Sequence, residues 1–202
     1  MPVLYSSKSS PFGRKTRMVV DILGIADKIT LQHFDTQNPN DLIRTINPLG
    51  KIPALVPDGE PAIFDSREII EYLDATYGKG EIVPTDPKVR FRVLTLAALA
   101  DGVMEALLLI VYEGRYRPPE LKGEVWLERQ YDKVRRGLTA ATERLDEYKA
   151  PSIAALTLAC TLGYIDFRKQ LDWRSEFPAL VAWLDAFAAE VPAFAKTGPT
   201  DT

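Results

Sequence analysis

The spacing of apolar residues changes abruptly near residue 80 of the chain. Before that point, short apolar runs alternate with segments whose apolar residues recur every three to four positions, which predicts strands alternating with helices. The predicted strands cover residues 3–5, 29–34, 52–56 and 62–64. The predicted helices cover residues 10–23, 41–46 and 66–77. The order in this first part is therefore strand, helix, strand, helix, strand, strand, helix.

Local signals support these boundaries. Ser10 followed by Pro11 is a typical helix start, because a serine hydroxyl accepts a bond from the first turn and proline presets φ. Gly24 is a typical helix end. Residues 57–59, Pro-Asp-Gly, predict a turn between the last two strands.

The rest of the chain has only helical periodicity. Residues 78–87 contain two glycines and two prolines without an apolar period, which indicates a linker. The helices predicted after it cover residues 88–114, 123–148, 152–170 and 177–189. We therefore predict a first domain over residues 1–78, a linker over 79–87 and an all-helical domain over 88–202.

Charge narrows the range of partners. The formal net charge is −3, and both nucleic acid and anionic membranes usually bind basic proteins. We therefore expect neither as a partner. A local basic cluster, formed by Lys8, Arg14, Lys15 and Arg17, fits an anionic small ligand or a solvated helix face.

Cysteine, histidine and the most apolar stretch give further expectations. The chain has one cysteine, Cys160, and one histidine, His33. An intrachain disulfide is therefore impossible, and a Cys/His metal site is not expected. Residues 93–112 are interrupted by Asp101 and Glu105, which favours a buried helix over a membrane span. No basic-then-apolar leader opens the sequence, and we expect a cytoplasmic protein.

Four short motifs resemble those of a known family. Residues 9–12 are Ser-Ser-Pro-Phe, residues 47–55 are Asn-Pro-Leu-Gly-Lys-Ile-Pro-Ala-Leu, residues 65–66 are Asp-Ser, and residues 163–168 are Gly-Tyr-Ile-Asp-Phe-Arg. With the order of elements, they resemble a bacterial serine-type member of the glutathione transferase superfamily. The resemblance implies an α/β thioredoxin-like N-terminal domain followed by an all-α helical-bundle domain. It also implies glutathione as co-substrate, no metal, a detoxification role and a homodimer.

The resemblance implies that a serine activates the glutathione thiol. A thiol of pKa about 8.5 must lose about two units to be mostly thiolate at neutral pH, which is roughly 2.7 kcal/mol. A helix N-terminus supplies up to ~2 kcal/mol and a hydrogen bond to a charged group ~1.5–3 kcal/mol. One hydroxyl at a helix start is therefore sufficient. Ser10 is the first candidate and Ser9 the second, unless Ser10 is only a helix cap.

The remaining glutathione contacts follow from the same motifs. The resemblance implies a cis bond before Pro53, with the backbone of Ile52 pairing with the ligand and Phe12 and Lys51 nearby. An ordinary trans proline is the alternative. The resemblance also implies that Asp65 pairs with the γ-glutamyl amine and that Ser66 binds the γ-glutamyl carboxylate. Simple helix capping is the alternative role for that pair.

The second substrate is expected between the two domains. The residues proposed to line its pocket are Asp101, Met104, Leu108, Tyr112 and Arg115. Helical spacing of this kind also arises from core packing alone. Tyr112 and Arg115 are the best candidates for contact with a polar co-substrate.

One position departs from the family pattern. The family usually begins its central C-terminal helix with Ser-x-x-Asp, a capping box, whereas Ser152 is followed by Ala155 at the acidic position. We expect a loss on the order of 1 kcal/mol relative to an intact box, and no change of fold.

The predicted function is transfer of glutathione to a small electrophile. A serine in place of the cysteine of some relatives cannot form a mixed disulfide, which favours conjugation, or a related isomerisation or dehalogenation. The alternative is a non-catalytic glutathione-binding or protein-interaction module of the same fold. A serine hydrolase is disfavoured, because no Gly-x-Ser-x-Gly motif is present.

Overall fold

Strands and helices alternate in the N-terminal part, as the apolar pattern predicts. The elements of the computed structural model are β1 (Val3–Ser6), α1 (Pro11–Ile22), β2 (Thr30–His33), α2 (Ile43–Ile46), β3 (Ala54–Val56) and α3 (Ser66–Leu73). The structure describes residues 1–34 and 42–200. Asp41, where the second predicted helix begins, lies outside these ranges.

The three strands form one mixed sheet in the order β2-β1-β3. β1 runs parallel to β2 and antiparallel to β3, with Leu4 beside Leu55, and both leucines are buried. The strand predicted over 62–64 is reduced to a single bridge between Ile63 and Leu55. Hydrogen-bonded residues alternate along an antiparallel strand, so Pro61 and Asp65 are the positions that would pair on either side of Ile63. Pro61 has no N–H and Asp65 caps α3, so the pairing is limited to Ile63.

The C-terminal part is helical throughout. Its helices are α4 (Pro87–Tyr116), α5 (Glu124–Thr142), α6 (Ile153–Arg168), α7 (Trp173–Glu176), α8 (Pro178–Glu190) and α9 (Ala193–Lys196). The helix predicted over 123–148 was too long at its end. The chain leaves α5 after Thr142 and makes a short 3₁₀ turn, which brings the buried Tyr148 ring against Trp183.

Helix α6 is the centre of a core that both domains share. Every residue from 153 to 165 is buried, as expected for a helix that is apolar on all sides. On α6, Thr161 donates a hydrogen bond to the carbonyl of Ala100 in α4 (3.2 Å), and Cys160 lies 3.5 Å from Met18 of α1, sulfur to sulfur. The two domains therefore pack through one continuous apolar cluster.

Helix α4 is long and apolar enough to span a membrane, judged by length and composition alone. More than half of its most apolar window is buried inside the protein. It packs against α6 through Ala100 and against α1 through Asp101. This packing is that of a core helix, which the charges at Asp101 and Glu105 predicted.

The start of α6 shows how the missing acid is replaced. The Ser152 hydroxyl accepts a hydrogen bond from the N–H of Ala155 (3.3 Å), so the serine still caps the helix. The Ser152 N–H, which a capping-box acid would accept, donates to the carbonyl of Lys149 (3.0 Å). Both polar groups are therefore satisfied without an acid at position 155.

The segment before α4 is held by a buried carboxylate. Asp74 accepts hydrogen bonds from the backbone N–H groups of Ile82 (3.1 Å) and Val83 (2.7 Å), and all three residues are buried. The connection between the domains is thus fixed to the end of α3. Helix α4 begins at Pro87, the last residue of the predicted linker. The limits of that linker, residues 79–87, remain a prediction.

Candidate active site at the start of helix α1

Ser10 caps α1 as its sequence neighbours predict. Its backbone is extended (φ −79°, ψ 123°), Pro11 is the first helical residue, and the Ser10 hydroxyl accepts a hydrogen bond from the N–H of Gly13 (3.1 Å). Within the described part of the chain no acceptor takes the Ser10 O–H, so the hydroxyl can still donate. Ser9 is half-buried in the preceding turn.

The second element is the loop before β3. The Ile52–Pro53 bond is cis, as the resemblance implies. Over residues 1–34 and 42–200 the backbone N–H and C=O of Ile52 form no hydrogen bond. The Ile52 backbone is therefore free to pair with an extended peptide. Lys51 beside it is exposed.

Asn47 holds this loop, a role that the sequence reasoning missed. Its buried side chain donates to the carbonyl of Lys51 (2.8 Å) and accepts from the N–H of Leu49 (3.0 Å). An asparagine two residues before the N–H it binds is the usual signature of such a turn, and that signal was present in the sequence.

The third element is the start of α3. Asp65 is the N-cap and accepts from the N–H of Arg67 (3.0 Å) and from the hydroxyl of buried Ser66 (3.2 Å). Partial burial raises the pKa of Asp65, but the hydrogen bonds and charge of Arg67 outweigh it and hold that pKa below its usual value. Asp65 is thus a carboxylate, exposed and able to pair with an amine.

The sheet places these three elements at one end. Tyr5 at the end of β1 lies opposite Ala54 at the start of β3, so the loop toward Ser10 and the loop with Ile52 leave the sheet side by side. Leu55 pairs with Ile63, so the chain reaches Asp65 at the same end. Ser10, Ile52 and Asp65 therefore border a common surface.

The basic residues of α1 are buried, which corrects the solvated helix face considered above. Arg14 donates to the carbonyl of Phe194 (2.6 Å) and its guanidinium lies 3.9 Å from the centre of that ring. Arg17 donates to the Ser6 hydroxyl (2.7 Å), and burial lowers its pKa to about 10. These cations connect α1 to the end of the chain, whereas Lys8 is exposed.

Lys15 and Asp101 form a buried ion pair between the two domains. The ammonium and carboxylate are 2.5 Å apart, with 0% and 4% of the side chains exposed. The second Asp101 oxygen lies 4.0 Å from Arg67, which in turn binds Asp65. A chain of charges therefore runs from the core to the start of α3.

Two of the residues proposed to line the electrophile pocket are buried in the core. Asp101 is occupied by Lys15, and Met104 has no exposed surface. Both lie on the α4 face that packs against α1 and α6, so neither lines an open pocket in this structure.

The next turns of α4 continue toward the start of α1, because α6 runs parallel to α4 and its Cys160 and Gly163 lie beside Met18 and Arg14 of α1. Asp101 is level with Lys15, and Ser10 lies about 7.5 Å further along α1 toward its N-terminus, at 1.5 Å per residue. Leu108 and Tyr112 are half-buried, and Arg115 is exposed. Its guanidinium lies 5.7 Å from the centre of the Tyr112 ring.

Helix α6 adds two residues that the sequence reasoning missed. The contact of Ala100 with Thr161, and a hydrogen bond from Gln170 to the carbonyl of Leu107 (2.8 Å), show that α4 and α6 run in the same direction. Tyr164 and Arg168 are therefore beside Tyr112 and Arg115. Their spacing of four residues was a visible signal. We call Leu108, Tyr112, Arg115, Tyr164 and Arg168 the outer pocket.

Known proteins resemble this chain over its whole length. The model of the glutathione S-transferase N-terminal domain matches residues 9–76, and that of the C-terminal domain matches residues 124–186. The uncharacterized GST-like protein YibF of Escherichia coli strain K12 is 33% identical, covering 97% of this chain and 98% of that protein.

Solved structures agree. A glutathione transferase family member from Pseudomonas fluorescens Pf-5 with bound glutathione is 38% identical with a TM-score of 0.93, and covers 100% of both chains. A second structure from that source, with bound S-(propanoic acid)-glutathione, is 38% identical with a TM-score of 0.89 and covers 99% of this chain and 100% of the other.

The chain belongs to the glutathione S-transferase family. The resemblance carried by residues 9–12, 47–55 and 65–66 is thereby confirmed, and so is the thioredoxin-like domain followed by a helical domain. The roles of individual site residues stay predictions.

A cavity of about 460 Å³ has none of Ser10, Ile52 and Asp65 in its lining. It is bordered by α1, β2 and the residues after α9, and its polar lining includes Lys8, Arg17 and His33. Burial and the charges of Arg17 and Lys8 lower the pKa of His33. His33, at the end of β2, therefore lies near the positive charges of Lys8 and Arg17.

The ion pair generates a stability prediction for the transferase fold. We expect Asp101→Asn to lower the free energy of unfolding by about 3–5 kcal/mol, because it leaves the buried Lys15 ammonium without its counter-charge. The double variant Lys15→Met with Asp101→Asn should recover much of that loss, since no buried charge remains. Urea unfolding of both variants and of Lys15→Met alone measures the coupling. If the losses of the two single variants add up to the loss of the double variant, Lys15 and Asp101 are not coupled and the ion pair does not stabilise the contact between the domains.

Proposed function

We propose that this protein is a glutathione transferase that ionises the glutathione thiol at the start of α1 and joins the sulfur to a small electrophile. The observation that supports this most directly is the Ser10 hydroxyl, which accepts from Gly13 and keeps its own proton for a sulfur anion. The bound glutathione of the Pseudomonas fluorescens relative supports the same ligand here.

The proposed binding mode follows the polar groups at the end of the sheet. The γ-glutamyl amine pairs with the Asp65 carboxylate, and its carboxylate binds Ser66 at the start of α3. The cysteinyl backbone pairs with the free N–H and C=O of Ile52. Exposed Lys51 pairs with the glycyl carboxylate, and the ring of Phe12 flanks the peptide.

The reaction divides into an ionisation and a bond-forming step. The thiol gives its proton to solvent, and the thiolate is stabilised by the Ser10 hydroxyl and the α1 N-terminus. The sulfur then uses its electron pair to form a bond to the electrophilic carbon. Either a leaving group departs with its own pair, or a carbon–carbon π pair moves and is protonated. A serine at this position has no sulfur for a mixed disulfide.

Isomerisation or dehalogenation would use the same thiolate, and a non-catalytic binding module would not need it. The Ser10 O–H, which no other group uses among the described residues, favours catalysis, whereas the Ile52 backbone would serve a binding module equally well. We propose a cytoplasmic setting, where glutathione is reduced, and no metal in the reaction.

The Ser10 variant tests the thiolate role. We expect Ser10→Ala to lower kcat/KM for chlorodinitrobenzene by about 10- to 100-fold at neutral pH, because one hydrogen bond to a charged sulfur is lost. Glutathione affinity measured by calorimetry should change little. The variant also loses a helix cap, at about 1 kcal/mol, so the assay is run well below its melting temperature.

Ser9→Ala is the matched control and should retain activity. Loss of activity in Ser9→Ala with normal activity in Ser10→Ala would assign the thiolate donor to Ser9 instead. A wild-type protein that does not bind glutathione would exclude the transferase function and favour the interaction module.

We also propose a homodimer through the side of the molecule formed by α3 and the start of α4. Arg90 pairs with Glu71 (2.5 Å), so these helices lie side by side. Apolar surface is exposed at both helices of this contact. It belongs to Phe64, just before α3, and to Val89 and Phe91 on α4. A two-fold axis would bring the Phe64 end of one copy to the Phe91 end of the other.

A charge at this surface should separate the subunits. We expect Phe91→Glu to convert a dimer to a monomer, because the ring is 67% exposed and a buried carboxylate there would be unpaired. Light scattering after size exclusion measures the mass. Val125→Glu, at an 81% exposed valine on α5, is the control and should stay dimeric. A monomeric wild type, or dissociation only in the control, would contradict this interface.

A further inference from the structure

The outer pocket is rich in cations and phenols. Tyr112 and Arg115 come from α4, and Tyr164 and Arg168 from α6. The Arg168 guanidinium lies 4.4 Å from the centre of the Phe167 ring and 5.8 Å from that of Tyr164. Arg168 acts on Tyr164 through its charge and a side-chain hydrogen bond, and Arg115 and Tyr112 act on it through their charges. Both arginines therefore lie near Tyr164.

The carboxylates nearest to Arg115 and Arg168 in the sequence, Glu113 and Asp166, are occupied elsewhere. Glu113 is buried and binds Arg117 (3.2 Å) and the N–H of Gly123 (2.9 Å). Asp166 binds Arg174 (2.7 Å) and the indole N–H of Trp173 (2.7 Å). Arg115 forms no salt bridge with any carboxylate in the part of the chain that the structure describes.

From this arrangement we infer that the outer pocket selects electrophiles that carry a carboxylate, with Arg115 as the specificity-determining cation and the half-buried Tyr112 hydroxyl as a further donor. The inference rests on the proposed function, since the pocket lies beyond the thiol site at Ser10. It names the substrate class that the thiolate meets. An arginine fork beside a phenolic hydroxyl suits a planar carboxylate group.

The phenols are in the protonation state that this role needs. Burial raises the pKa of Tyr112, and the charge of Tyr116 adds to it, against a smaller opposite effect of Arg115. Burial likewise raises the pKa of Tyr164. Both hydroxyls therefore keep their protons at neutral pH, and that of half-buried Tyr112 can donate a hydrogen bond to an anion.

The simplest reaction of this class is addition to a small unsaturated acid. The thiolate sulfur forms a carbon–sulfur bond at the β-carbon, and the π pair moves to the α-carbon, which takes a proton from water. With the thiol proton released earlier, one glutathione and one acid give one thioether acid. Arg115 holds the carboxylate, and the negative charge that develops beside it in the transition state is stabilised by the same cation.

Acrylate and acrylamide form a matched pair of probes, because they differ in charge but hardly in shape. Each enzymatic rate is divided by the uncatalysed rate with glutathione, and chlorodinitrobenzene serves as a neutral aromatic reference. We expect the wild type to accelerate acrylate more than acrylamide. Arg115→Gln should lower kcat/KM for acrylate by about 10- to 100-fold, the range for a hydrogen bond to a charged group, with the two neutral substrates unchanged.

Two control variants accompany this one. Arg115→Lys keeps the charge and should restore part of the acrylate rate. Arg92→Gln removes an exposed arginine at the far end of α4 and should leave every rate unchanged. Arg115 is exposed, so its variants should fold, and melting curves verify this.

The outcomes separate this inference from the proposed function. Equal acceleration of acrylate and acrylamide by the wild type, or an equal fall for both in Arg115→Gln, would overturn the carboxylate specificity. Turnover of chlorodinitrobenzene without acceleration of acrylate would overturn it too, while leaving the transferase intact. Failure to bind glutathione would remove the proposed function itself.

Discussion

The burial of charge on α1 is the constraint on which the rest of the structure depends. A helix that carries Lys15, Arg14 and Arg17 into the interior needs a specific partner for each. Asp101 supplies the only carboxylate in direct contact with these cations among the described residues, and it comes from the other domain. Carbonyl and hydroxyl oxygens serve the two arginines. The helix is therefore fixed at both sides.

A fixed α1 gives the active site its geometry. The thiolate needs a helix N-terminus and a hydroxyl in one place, and Ser10 can provide both only if the helix axis does not move. The sheet register brings Ile52 and Asp65 to the same end as Ser10. The charge chain from Lys15 through Asp101 and Arg67 reaches Asp65, so the glutathione surface and the core share their polar contacts.

The sequence predicted local features well and burial less well. Ser10–Pro11 and Asp65–Ser66 act through neighbouring residues, so their caps could be foreseen, and the cis Pro53 followed from its motif. Asp101 could not be placed, because whether a charge on a long helix faces a pocket or a buried lysine depends on a distant element. Tyr164 and Arg168 were missed for the same reason. Their meeting with Tyr112 and Arg115 requires the parallel packing of α4 and α6.

The central claim is that the start of α1 lowers the pKa of a bound thiol. The most direct measurement is the ultraviolet absorbance of the thiolate as the glutathione complex is titrated with pH. We predict ionisation about two units below the value of about 8.5 for a free thiol, so that most bound glutathione is thiolate at neutral pH. Ionisation of the bound thiol at the free value would contradict it.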